Sequence, residues 1–122
     1  DHCLAIDKVL INGVVGETYN IGGNNEITNL NIVKNICSIL DDLKPRENKA
    51  SYLELISFVT DRPGHDFRYA IDSSKIKKQL NWKPKETFNS GILKTIKWYL
   101  ENEDWWRQIQ NKTYKQTRLG LK

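Results

Sequence analysis

The sequence predicts an α/β chain in which helices pack with short strands. Three observations carry this expectation. Apolar residues recur at helical spacings of three and four in several windows. Between them lie short runs rich in β-branched and aromatic residues, bounded by glycine, asparagine or proline. Each run is too short for an independent sheet, so the order α-β-α-β-β-α-α is expected to dock onto a further layer.

The first helix is expected over Cys3 to Ile11, with Leu4, Ile6, Val9, Leu10 and Ile11 mostly on one face and Asn12-Gly13 as its stop. Gly16 then releases the chain into a strand, Glu17 to Ile21, closed by a turn at Gly22-Gly23. Thr28 or Asn29 caps the best-marked helix, in which Leu30, Val33, Ile36, Cys37 and Leu40 share a face. It ends near Leu43, ahead of Lys44-Pro45, because a residue before proline avoids helical angles. Arg46 to Leu55 is polar and carries no clear period.

Ile56 to Thr60 and Arg68 to Asp72 read as extended segments on either side of the loop that opens at Asp61. Asp72 or Ser73 caps a short helix with Ile76 and Leu80 inward, terminated by Asn81-Trp82-Lys83-Pro84. The last helix starts near Thr87, with Phe88, Ile92, Ile96 and Tyr99 on one face and Leu93 and Leu100 beside it. Trp105 and Trp106 are expected to close over its end, and the basic tail beyond is expected to be extended.

At 122 residues, 39% hydrophobic and 28% charged, the composition is that of one modest globular domain. No window approaches the ~20 apolar residues that span a bilayer, and no basic-then-apolar leader opens the chain, so a cytoplasmic protein with no membrane partner is expected. The chain contains no Met and opens on Asp1-His2 directly before an apolar pattern; it is expected to be a fragment cut near the start of a helix. Cys3 and Cys37 stand singly on apolar helical stretches and are expected to be small buried hydrophobes, with no metal site. The net charge of +4 belongs to the end of the chain, where Arg107, Lys112, Lys115, Arg118 and Lys122 follow the last acidic residue. Such a tail is usually solvated.

Four features bear on chemistry. Gly22-Gly23 lacks the G-x-G-x-x-G spacing of a dinucleotide loop and reads as a turn. Asn29 reads first as a helix cap, and second as an amide placed at a helix N-terminus where an anionic ligand is favoured. In Asp61-Arg62-Pro63-Gly64-His65-Asp66, Pro63 fixes φ and Gly64 permits positive φ, so a stiff turn carries Arg62 and His65 as donors for phosphate or sugar hydroxyls. Equally open is a surface corner in which Arg62 pairs with Asp61 or Asp66. Finally, no nucleophilic triad is present, and Tyr19, Tyr69 and Tyr99 lack a lysine four positions later. The residues supply binding groups and no catalytic machinery.

Glu17-Thr18-Tyr19-Asn20-Ile21-Gly22-Gly23, Asp61 to Asp66 with Arg68-Tyr69-Ala70-Ile71-Asp72, and Trp82-Lys83-Pro84 with Glu86-Thr87-Phe88 resemble the C-terminal part of the nucleotide-sugar 4,6-dehydratases. These belong to the extended short-chain dehydrogenase/reductase family, and the residues look like those of the members acting on dTDP-glucose. Gly91-Ile92 and Thr95 to Leu100 continue the likeness, which runs from Asp1 to about Trp105 and weakens in the tail. The Tyr-Asn-Ile-Gly-Gly piece recurs across the wider family, whereas the combined Asp-Arg-Pro-Gly-His and Arg-Tyr-Ala-Ile-Asp block is much more specific.

The resemblance implies a small C-terminal substrate-binding domain, residues 1–106, followed by a basic tail, 107–122, with the Rossmann core absent from these residues. That missing N-terminal part would hold NAD, the catalytic Tyr and Lys and an acid pair, so no cofactor-binding or catalytic residue is expected in this chain. In the family a sugar oxidised at C4 loses water across C5–C6 and regains hydride at C6, giving dTDP-4-keto-6-deoxyglucose on the route to rhamnose. By the same resemblance, Asn29 and Asp61, Arg62, Pro63, Gly64 and His65 contact the dTDP-sugar, and the whole enzyme is a homodimer through the missing part. Two alternatives stand beside this. One is a related epimerase or dehydratase with another base or sugar. The other is a small basic nucleic-acid module using the tail with Trp105-Trp106, which the acid-balanced body disfavours.

Overall fold

The computed structural model describes residues 1–61, 63–66 and 69–112, with Lys112 described by its backbone alone. Among these residues five α-helices form: α1 (His2–Asn12), α2 (Asn29–Leu43), α3 (Ser74–Leu80), α4 (Phe88–Glu101) and α5 (Glu103–Lys112). A 3₁₀ turn, Tyr52–Leu55, lies between α2 and α3. The chain divides into two compact units, Asp1–Thr28 with Arg68–Gly91, and Asn29–Phe67 with Ile92–Lys122.

In the first unit Ala5, Ile76, Leu80 and Trp82 form the core, with Val9, Tyr19 and Ile21 packed against it. The expected inward face of α1 is corrected here. Ala5 and Val9, one helical turn apart, turn towards α3, while Leu4, Ile6, Leu10 and Ile11 are exposed. The small Ala5 side chain lets α1 approach Ile76 closely, and the larger aliphatic residues have no covering layer among the described residues. The stop is as expected but works differently from a left-handed cap: Gly13 has φ −69° and donates its N–H to the Val9 carbonyl at 2.8 Å. At the end of α3 it is Asn81 that is left-handed, with φ 48°, which turns Trp82 back into the core.

No strand forms among the described residues, so the α/β expectation fails in its β part over Glu17–Ile21 and Ile56–Thr60. The third segment, expected over Arg68–Asp72, is not a strand at residues 69–72, and Arg68 lies outside the described residues. The physical reason is the absence of a ladder partner. A strand exists only when neighbouring backbones satisfy each other's N–H and C=O groups. Side chains do part of that work here: Lys75 Nζ donates to the Thr18 carbonyl at 2.8 Å and to Glu17 Oε2 at 2.6 Å, and its ammonium sits 5.0 Å from the Tyr19 ring centre. No turn forms at Gly22-Gly23 either; the left-handed residue there is Asn24.

Helix α4 begins as expected. Thr87 Oγ1 accepts from Ser90 N at 3.2 Å while Ser90 Oγ accepts from Thr87 N at 3.0 Å, a reciprocal cap that satisfies two otherwise orphaned N–H groups. Ile96 is buried, but Tyr99 is half exposed and stacks edge-on with Trp98 instead of facing inward. Trp105 and Trp106 do close over the end of α4: Trp106 Nε1 donates to the Tyr99 carbonyl at 2.9 Å, and Trp105 packs edge-on against Trp98. Residues 107–112, expected as the extended start of the tail, are helical; residues 113–122 lie outside the described residues. Cys37 is buried as expected, whereas Cys3 is exposed.

Four carboxylates, Glu17 and Asp72 exposed and Asp41 and Glu103 half-buried, are held below the ordinary carboxylate range. Lys75 lowers Glu17 by hydrogen bond and then by charge, and the Ser51 hydroxyl followed by the Tyr52 amide lowers Asp41. The Ser74 amide and hydroxyl lower Asp72, while Arg107 and then Lys44 lower Glu103. Between the folded and unfolded values the unfolded chain binds more protons, so stability falls as pH falls through that window. Thermal melts are expected to be level above about pH 5 and to drop below about pH 4, modestly because these groups face solvent. A midpoint that rises on acidification would contradict the assignment.

Candidate functional site

In the second unit, α2 and the Tyr52–Leu55 turn pack against each other and leave a groove of about 530 Å³. One wall comes from α2, through Asn29, Leu30, Val33 and Cys37, and the other from Tyr52, Leu55 and the chain Ile56 to Phe58. Asn29 is the first residue of α2, which leaves Thr28 at the capping position. The asparagine amide therefore sits where helix N–H groups point outward, on the rim of an open and mostly apolar groove. Phe58 is 83% exposed, so a large apolar surface leads from the groove towards Asp61.

The groove wall is held by side chains ten positions apart in sequence. Asp41 Oδ2 accepts from Ser51 Oγ at 2.5 Å and Oδ1 accepts from Tyr52 N at 2.8 Å. Tyr52 Oη donates to the Lys44 carbonyl at 2.9 Å, occupying an acceptor at the end of α2. Arg46 Nη1 donates to the Ser51 carbonyl at 3.1 Å. Ser51 also caps the turn by accepting from Leu53 N. This clamp was not foreseen from the sequence, although Ser51-Tyr52-Leu53-Glu54 carries the S-x-x-E signature of a capped start.

The loop takes the shape its residues predict. Pro63 and Gly64 lie in a turn, and Gly64 has φ 69°, the left-handed region where a Cβ is strained. Asp61, Pro63, Gly64 and His65 are exposed, and Arg62 lies outside the described residues. The structure joins Asp61 to His65: Nδ1 lies 2.6 Å from Asp61 Oδ1. The carboxylate accepts the Nδ1 proton, orienting the ring and leaving Nε2 as the nitrogen for a second partner. Asn29 faces the chain that leads into the loop, while the described loop residues Asp61 and Pro63 to His65 are not part of the groove wall.

Gly22-Gly23 lacks the G-x-G-x-x-G spacing of a dinucleotide loop, and the left-handed Asn24 follows it directly. Among the described residues no cluster of His, Cys, Asp or Glu could hold a metal ion, and no helix is long and apolar enough to cross a membrane.

Residues 1–95 match the family model described as GDP-mannose 4,6 dehydratase, and the chain belongs to that family. Within it, the similarity is to dTDP-glucose 4,6-dehydratases. The enzyme of that name from Neisseria meningitidis serogroup B is 52% identical over 98% of this chain. The solved dTDP-glucose 4,6-dehydratase from Bacillus anthracis str. Ames, in complex with NAD, superposes with a TM-score of 0.73 at 47% identity over 88% of the chain. DesIV from Streptomyces venezuelae, the same enzyme with NAD and TYD bound, gives 0.70 at 37% identity over the same share. The chain spans about a third of these relatives' length, 34% of the first and 31% of each solved chain.

Proposed function

We propose that this chain is the nucleotide-sugar-binding part of an NAD-dependent dTDP-glucose 4,6-dehydratase, a cytoplasmic homodimer that converts dTDP-glucose to dTDP-4-keto-6-deoxyglucose with loss of water. The observation that carries the reading is near-full-length identity of about half to enzymes of that name, together with the Asp61–His65 loop that the resemblance assigns to the substrate. NAD would supply oxidation at the sugar and return of hydride, on residues outside this chain. Residues 1–106 would hold the substrate and 107–122 would form the tail.

The roles are those the resemblance assigns, and the positions of Asn29, Asp61 and His65 are compatible with them. Asn29 presents an amide and the positive end of α2 to a polar group of the ligand. Asp61 acts on His65, fixing the ring so that Nε2 meets a sugar or ribose hydroxyl or, when protonated, a phosphate oxygen. Arg62 is assigned the diphosphate, for which a guanidinium fork suits two oxygens. The apolar groove suits the flat face of a base or sugar.

A second reading has one observation in its favour: the matching family is described by GDP-mannose. The full-length protein should therefore be offered dTDP-glucose and GDP-mannose side by side, with the 4-keto product followed by absorbance and mass. Turnover of dTDP-glucose alone is expected. Arg62→Ala and Asn29→Ala are each expected to weaken nucleotide-sugar binding roughly tenfold or more, the scale of a lost charge-assisted contact. Unchanged affinity in both would remove the roles assigned to them, and turnover of GDP-mannose alone would overturn the choice of base.

A further inference from the structure

The Asp41 carboxylate lies at neither end of the groove, yet both its oxygens are committed to the start of the opposite wall, to Ser51 Oγ and Tyr52 N. Its own helix supplies the other wall through Asn29, Val33 and Cys37. Tyr52 is anchored a second time through its hydroxyl on the Lys44 carbonyl, and Ile56 follows the turn directly. From Ile56 the chain runs on to Asp61. Asp41 thus fixes where the second wall starts relative to the C-terminal end of α2.

We propose that Asp41 is a positioning residue for the nucleotide-sugar site, holding the Tyr52–Leu55 turn on α2 so that the groove has the width its ligand needs. This rests on the substrate reading above. A carboxylate suits the task because it accepts from a hydroxyl and from a backbone N–H at once, without itself needing a donor's partner. Arg46 reinforces the same corner by holding the Ser51 carbonyl. Nothing in the local sequence signals this, since the partners are ten and eleven positions away.

The test is steady-state kinetics of the full-length protein with dTDP-glucose. Asp41→Ala is expected to raise KM on the order of tenfold with kcat within about twofold, the pattern of lost uniform binding. Ser51→Ala, which keeps the carboxylate–Tyr52 bond, is expected to raise KM less, and Asp41→Asn, which keeps one acceptor, to fall between wild type and Asp41→Ala. Should Asp41→Ala not fold, the other two variants carry the test on the same split. Wild-type KM in all folded variants overturns the positioning role, as does a fall in kcat at constant KM, which is what general destabilisation produces. A wild-type protein that does not turn over dTDP-glucose overturns the functional reading instead.

Discussion

Replacing Ile76 with alanine is expected to destabilise the first unit by about 2–5 kcal/mol, the range for truncating a buried aliphatic side chain. Ile76 is 0% exposed and is the largest fully buried side chain among the described residues. It packs with Ala5 from α1 and with Leu80 and Trp82 from its own stretch of chain. The core is small, so a cavity there has few neighbours able to relax into it. Ala5 cannot fill the gap, because its side chain ends at Cβ. Urea denaturation, followed by tryptophan fluorescence from the buried Trp82, would measure the loss. A change below about 1 kcal/mol would mean that the α1–α3 contact is not the centre of this unit.

Gly13→Ala is expected to cost about 1–3 kcal/mol, the usual scale of forced overpacking. A Cβ at position 13 would stand 2.4 Å from the Val9 carbonyl oxygen and 3.2 Å from its carbon. Both are backbone atoms, so no rotamer change relieves the clash. The same carbonyl accepts the Gly13 N–H, and moving residue 13 away lengthens that bond. Glycine is needed here for space, since φ is an ordinary −69°. A shift in the denaturation midpoint checks this, and a variant as stable as wild type would contradict the close approach.

Helices α1 to α4 were legible because each has its own local signal, whereas α5 was expected as a cap over α4 and an extended tail. The period of Leu30, Val33, Cys37 and Leu40, the Thr87 cap, the stop at Asn12-Gly13 and the break at Asn81 act within one or two turns of chain. Strands are different, because a strand is a relation between two backbones. Glu17–Ile21 and Ile56–Thr60 have the residues for extended chain, but among the described residues no ladder forms beside them. Burial on α1 was misread for a related reason: hydrophobicity marks Leu4, Leu10 and Ile11, whereas packing chose the small Ala5 and its neighbour Val9 one turn on. At the site, the stiff turn and its positive φ at Gly64 were visible in Pro63-Gly64. The Asp61–His65 pair was not, because Arg62 was the obvious partner for that carboxylate. The Asp41 clamp stayed hidden because it joins a helix to a turn across a polar stretch without period.

Asn29 and the Asp61–His65 loop are proposed to hold a nucleotide-sugar. The most direct measurement is a crystal structure of the full-length protein with dTDP-glucose or its dTDP product bound. The Asn29 amide, the Arg62 guanidinium and His65 Nε2 are expected within hydrogen-bonding distance, ~2.7–3.2 Å, of the ligand. A ligand seated with none of these residues in contact would contradict it.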